Sequence, residues 1–400
     1  MSSVVGNNLP SGSKILPPRP QKLIVAIALA VLAGGAVALS SYGWRQSVLF
    51  LIGGLLGVSL YHSAFGFTSA YRKLLVNRDV QGIYAQLVML AIATILFAPV
   101  LAAGSVFGQK VEGAIAPVGV QGAIGAFLFG IGMQLGGGCG CGTLYTIGGG
   151  SITMLITLFT FCVGAFWASL TRHIWSVLPQ ISPIVFGESL GWVGAVGLQL
   201  GLFILIAGLL WWWNQRSRNQ LQTKSNKAQI LPHPTEFLSG PWPLFTGAIA
   251  LATLNWLTLI ISGEPWRITW GFALWAAKIA TIFGWNPDSS PFWEGMSFSD
   301  IVVTDVSSVM NVGIILGAAL AAASAGKLVA KTQISLAVVI ATIIGGLMMG
   351  YGAFIAFGCN VSAFFSGIAS TSLHGWIWII CALLGTGVGI RFRSLLKLVN

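Results

Sequence analysis

Apolar runs of about twenty residues recur along the whole chain, each long enough to cross a bilayer. They fall at about 23–41, 48–66, 84–107, 121–148, 151–170 and 192–213, then at about 244–262, 269–285, 306–325, 334–357 and 374–392. A chain of this kind has few ways to fold. Backbone N–H and C=O groups find no water in hydrocarbon, so each run must close its own hydrogen bonds as a helix. The composition agrees, with 56% of residues apolar and 7% charged. The expected class is an all-α polytopic membrane protein whose solvent is the lipid bilayer. A net charge of +11 invites a nucleic-acid reading. The placement of the charge argues against it. Lys and Arg lie in loops, where they hold those loops in the cytoplasm, and form no basic stripe on a soluble face.

Two runs are broken by glycine and cysteine. Residues 136–142 read Gly-Gly-Gly-Cys-Gly-Cys-Gly, and the second break centres on Gly358-Cys359-Asn360. Glycine is poor in a helix interior, so five glycines in seven positions end a helix in mid-run. Non-helical backbone at that depth survives where protein or a polar cavity satisfies it. Where a helix restarts, unpaired N–H groups and the positive dipole end suit an anion. Asn360 is expected to cap a helix starting at Val361, and Thr143 to do the same after Gly142. Two such ends face to face, built from Gly138, Cys139, Gly142, Thr143, Gly358, Cys359 and Asn360, would hold a small anion. Cysteine is a soft, weak donor and suits a sulfur-bearing anion; sulfate or phosphate would call for arginine. The competing reading of the glycines is close helix packing. Cys141 has no counterpart beside Cys359. Cys162 and Cys381 lie in unbroken runs as small hydrophobes. His374 opens a span, as an interface anchor or as a path residue. Cys139 and Cys141 lack nearby partners for a metal, and no cofactor is expected.

The polar stretches divide the chain. Residues 1–20 are expected to be a disordered cytoplasmic tail, and 214–243 a cytoplasmic linker. The linker separates an N-terminal membrane half at 21–213 from a C-terminal half at 244–400. Residues 286–305 carry Asp288, Glu294, Asp300 and Asp305 without Lys or Arg, and point outward. Both termini are then cytoplasmic if 269–285 is re-entrant. With Cys139 set against Cys359, Gly130-x-Gly132 falls on Gly350-x-Gly352. The halves thus read as pseudo-symmetric and inverted, with their broken helices meeting near the midplane. No Asp or Glu lies inside a span, and no phosphate-binding Walker loop is present, so this chain is not expected to hydrolyse ATP.

Gly-Gly-Cys-x-x-Gly-Thr-Leu-Tyr at 137–145 and the long stretch from Gly358 to Trp376 resemble the signature motifs of the YeeE/YedE sulfur-transport family. Phe65-Gly66-Phe67-Thr68-Ser69-Ala70-Tyr71-Arg72 is similar to a third. The resemblance covers about 45–395. It implies thiosulfate uptake across the bacterial inner membrane, through an hourglass of spanning and half helices. It also implies that pore cysteines pass the anion by S–H···S contacts, with Cys139 and Cys359 at two of those positions. Some members carry cysteine in the third motif, where this chain has Gly66; Cys141 is an extra relay thiol or unrelated. Some relatives are associated with selenium compounds. A separate TusA-like sulfur-carrier protein often partners the family. The reading from another class is a membrane thiol–disulfide conduit, which would also set one cysteine in each half. The absence of Cys-x-x-Cys weighs against it.

Overall fold

The computed structural model describes residues 19–218, 237–298, 301–330 and 334–398. Most of the expected 1–20 tail and the centre of the 214–243 linker lie outside the described residues. Among the described residues, ten helical segments are long and apolar enough to cross a membrane.

Helices α1 (Lys22–Leu39) and α2 (Trp44–Ser63) lead to a break at Ala64–Gly66 and the short α3 (Phe67–Asn77). α4 (Gln81–Ala103) follows. The first glycine-rich run is α5 (Val120–Gly136) and α6 (Gly140–Gly148), and α7 (Ile152–Leu170) returns. α8 (Trp192–Arg218) carries the helix past Trp213, further than the apolar run. In the second half come α9 (Leu244–Ser262) and α10 (Thr269–Ile282). The 14 residues of α10, the segment expected to be re-entrant, span about 21 Å, short of the roughly 30 Å of a hydrocarbon core. α11 (Val306–Ser324) and α12 (Leu336–Ile355) precede the second break. A π turn at Asn360–Phe365 runs into α13 (Ser366–Ala369), and α14 (Leu373–Leu395) closes the chain.

Without a hydrophobic force between helices in lipid, close contact of small residues holds them together. Here the glycines do that. A Cβ on Gly57 of α2 would lie 2.1 Å from the Ile314 carbonyl of α11, and one on Gly317 would lie 1.9 Å from the Gly54 carbonyl. The two Gly-x-Gly pairs pack in matching ways. Gly130 abuts Ala382 of α14, as Gly350 abuts Phe161 of α7. Gly132 abuts Gly345 of α12, as Gly352 abuts Gly125 of α5.

Loop bonds define two ends of the bundle. At one end Glu112 N–H donates to Gly263, Leu373 N–H donates to Ile184, and β1 (Val118–Gly119) pairs with β2 (Gln180–Ile181). At the other end Gln21 N–H donates to Ala323, and Trp242 N–H donates to His62.

Candidate functional site

The two breaks share one backbone geometry. Cys139 sits at φ −100°, ψ −169°, and Cys359 at φ −100°, ψ −167°. Each occupies the capping position of the short helix that follows. This corrects two sequence expectations. The first helix starts at Gly140, and the Thr143 hydroxyl, already inside it, donates back to the Cys139 carbonyl at 2.8 Å. The second starts at Asn360 as a π turn, so Asn360 is not its cap. The Asn360 amide donates to the Tyr71 hydroxyl at 3.3 Å, and its carbonyl oxygen is buried without a partner. Local propensity favoured Asn and Thr as caps; the tight reversal put the cysteines there instead.

Glycine makes the reversals possible. Gly137 has φ +78° and Gly358 φ +149°, where side chains are strained. A Cβ on Gly358 would also meet Ser362 Cβ at 2.6 Å. The neighbouring glycines make room for sulfur. A Cβ on Gly142 would lie 3.4 Å from the Cys139 sulfur, and one on Gly140 would lie 3.3 Å from the Cys359 sulfur. Gly138 packs its α-carbon side against the Thr143 amide.

The three break cysteines are buried and reduced. The Cys139 and Cys141 sulfurs lie 3.4 Å apart, and the Cys359 sulfur lies 3.7 Å from the Ser362 hydroxyl. Cys141 thus belongs to the same cluster, although the sequence offered it no counterpart. Cys162 is buried in α7 and Cys381 half-buried in α14, apart from the breaks. Among the described residues, no three His, Cys, Asp or Glu side chains gather as a metal site needs.

The third motif reaches the same place. Gly66 precedes α3 at φ −124°, and a Cβ there would meet the Ser69 hydroxyl at 2.7 Å and the Tyr145 hydroxyl at 3.7 Å. The Ser69 hydroxyl, which donates to the Gly66 carbonyl at 3.0 Å, is the group a side chain at this position would displace. The buried Thr68 hydroxyl lies beside the Cys139 thiol.

Beside the second break, against Gly358 and Ser362, lies a cavity of about 260 Å³. Arg267, Thr269, Trp270, Gly358, Ser362 and His374 line it. His374 is buried rather than anchored at an interface, with Nδ1 2.8 Å from the Ser372 hydroxyl.

A sequence profile of the sulphur transport family matches residues 62–388. The chain belongs to that family. It is 30% identical over 362 residues to the thiosulfate transporter TsuA of Spirochaeta thermophila, covering 86% of this chain and 98% of that one. It is 24% identical over 368 residues to the thiosulfate transporter TsuA of Escherichia coli, covering 84% and 91%. The probable transporter YedE of Escherichia coli is 30% identical over 154 residues, 38% of each chain. The protein is therefore a multi-pass membrane transporter of the sulphur transport family and not an enzyme.

Several residues beside the site of this family member escape a reading of the sequence. The extended segment between α9 and α10 is held by side chains from three other places. Asn255 accepts from Trp266 N–H at 2.8 Å, Asn311 donates to the Ile268 carbonyl at 3.0 Å, and the Ser366 hydroxyl donates to the Trp266 carbonyl at 3.4 Å. Buried amides inside apolar runs were the available signal, since each must satisfy something. Arg267 sits on this segment and carried no signal of its own.

Proposed function

We propose that the protein takes up thiosulfate across the bacterial inner membrane through a neck formed by Cys139, Cys141 and Cys359. The observation that carries the reading is three buried thiols converging at two like-shaped helix breaks, one of which borders a cavity. The names of two relatives over most of their length supply the substrate. Neutral thiols suit it physically. They offer soft donors to a terminal sulfur, while the starts of α6 and of the Asn360 turn offer N–H groups to its oxygens. Thr68, Asn360 and Gly66 flank the neck on the side of α3. No step calls for ATP hydrolysis by this chain. An inside-negative potential opposes anion uptake by about 2.3 kcal/mol per charge per 100 mV. Consumption of the anion inside offsets this, and a TusA-like carrier is the kind of partner that would do so.

We read the halves 21–213 and 244–400 as inverted repeats, supported by the matched dihedrals of Cys139 and Cys359 and the matched glycine contacts. The charge distribution supports a cytoplasmic N-terminus and C-terminus. Lys22, Arg72, Lys73, Arg78, Lys327, Arg391, Arg393 and Lys397 belong to the end at which α1 begins and α14 finishes. Glu112, Glu188, Glu264, Asp288, Glu294 and Asp305 belong to the other, where they outnumber Arg45, Lys110, Arg172 and Arg267. A reporter fused after Lys397 is expected to be active only in its cytoplasmic form. Activity only in the external form would overturn the orientation.

The test of function is uptake of labelled thiosulfate by cells that lack other sulfur importers, together with growth on thiosulfate as the sulfur source. Uptake independent of this protein would refute the proposal. Gly140→Val probes the neck directly. Its side chain would press on the Cys359 sulfur at 3.3 Å and Ile268 at 3.4 Å, so uptake should fall at least about tenfold at matched membrane abundance. The thiol–disulfide conduit, with one cysteine in each half, would cycle a Cys139–Cys359 disulfide. Alkylation trapping during uptake separates the two readings. Thiols that stay free support transport, and a cycling disulfide supports the conduit. Labelled selenium analogues in the same assay define the substrate range.

A further inference from the structure

The cavity beside Gly358 and Ser362 is lined by a cation that the thiol neck does not use. Arg267 lines it, on an extended segment anchored by Asn255, Asn311 and Ser366. Its guanidinium is paired with Glu264 at 2.8 Å, and both side chains are part-exposed. Two carboxylates lie near this pair, and a histidine lines the cavity with Arg267. Glu112 comes from the loop after α4, where it pairs with Lys110 at 2.7 Å, and its backbone bonds Gly263. Asp305 comes from the start of α11, where it accepts from Ser308 N–H and Trp270 Nε1. His374 faces the cavity from α14. Asp305 is thus satisfied by other donors, whereas Glu264 has Arg267 as its ion-pair partner.

We propose that this cavity is an anion-binding site in its own right, in which Arg267, released by Glu264, holds a small oxyanion before it meets the thiols. The inference deepens the reading of the protein as a thiosulfate transporter and rests on it for the order of the two sites. A guanidinium pairs with oxyanions through a planar fork of N–H donors. Sulfate and thiosulfate present the same oxygen face, so this site takes both. The thiols beyond it prefer a terminal sulfur. Sulfate therefore occupies the cavity and competes, but does not pass.

Protonation of Glu264 frees the guanidinium. Burial pushes this carboxyl above its usual range; Arg267 opposes the rise, and Asp305 and Glu112 add to it. The sign follows. At alkaline external pH the carboxylate is charged and keeps Arg267 engaged. As pH falls through the raised range the carboxyl takes a proton, and anion affinity rises.

Binding of labelled sulfate to the purified full-length protein tests this without any transport step. Wild type is expected to bind sulfate, and to bind it more tightly as pH is lowered into the range, above that of an ordinary carboxyl, in which Glu264 takes its proton. Arg267→Gln should weaken binding at least about tenfold. Arg267→Lys, which keeps the charge, should retain part of it and stands in if the glutamine variant does not fold. Glu264→Gln should bind tightly at alkaline pH and lose the pH dependence. In cells, sulfate should inhibit labelled thiosulfate uptake by wild type and not by Arg267→Lys or Arg267→Gln to the same degree. Sulfate binding unchanged in Arg267→Gln overturns the proposal, and so does pH dependence that persists in Glu264→Gln. If Arg267 governs sulfate binding but wild type takes up no thiosulfate, the anion site stands and the transport reading fails.

Discussion

Cys359→Ala is expected to reduce thiosulfate uptake below detection, and Cys139→Ala to reduce it at least about tenfold, the loss a hydrogen bond to a charged group commonly carries. Placement is the reason. The Cys359 sulfur faces Gly140 of the other break, and its neighbours Gly358 and Ser362 line the cavity, so it stands where the proposed path joins the two. Cys139 can lean on Cys141, whose sulfur is 3.4 Å away, and this leaves its variant some residual uptake. Serine is expected to be a poor substitute for Cys359. It keeps a donor, but is shorter and harder, and suits an oxygen better than a terminal sulfur. Cys162→Ala and Cys381→Ala serve as controls and should transport like wild type, because neither lies at a break. Labelled uptake at matched membrane abundance decides it. Normal transport by both the Cys359 and Cys139 alanine variants would reduce the breaks to packing devices. Full activity of Cys359→Ser would show that hydrogen bonding suffices without soft sulfur.

The second large effect is on assembly. Gly317→Val should destabilise the protein by about 3 kcal/mol or more, the upper range for overpacking a tight contact. A Cβ at Gly317 would lie 1.9 Å from the Gly54 carbonyl and 2.6 Å from its carbon. Both are backbone atoms, so no side chain can turn aside, and α2 and α11 must separate. Gly197→Val makes the same chemical change in α8, where a Cβ meets nothing within 4 Å, and should leave stability close to wild type. Membrane abundance and the thermal midpoint of the detergent-solubilised protein are the readouts. A Gly317→Val protein that accumulates and melts like wild type would refute the α2–α11 contact.

The membrane helices were legible in the sequence because the bilayer leaves a long apolar run almost no other structure. The same holds for both breaks: five glycines in seven residues at 136–142 cannot continue a helix, and the Gly358-Cys359 pair interrupts an apolar run in the same way. That route places Cys139, Cys359, Gly138, Gly142 and Gly358 at the breaks, where the structure also has them. Which atoms cap the restarted helices was not legible, because the reversal at each break fixes the cysteine backbone in place of the better local cappers Asn360 and Thr143. Cys141 could not be placed from its spacing alone, since its 3.4 Å approach to Cys139 depends on where α6 begins. His374 opens a span and reads as an interface anchor or a path residue; the packing of α14 sets it against the cavity. Arg267 is the clearest case. In the sequence it is one arginine in a loop. Asn255, Asn311 and Ser366, distant in the chain, tie its segment down at the cavity. A single-chain pattern records burial period and helix breakage, which are local. It does not record which buried amide meets which carbonyl across the bundle, and the tertiary structure decided that.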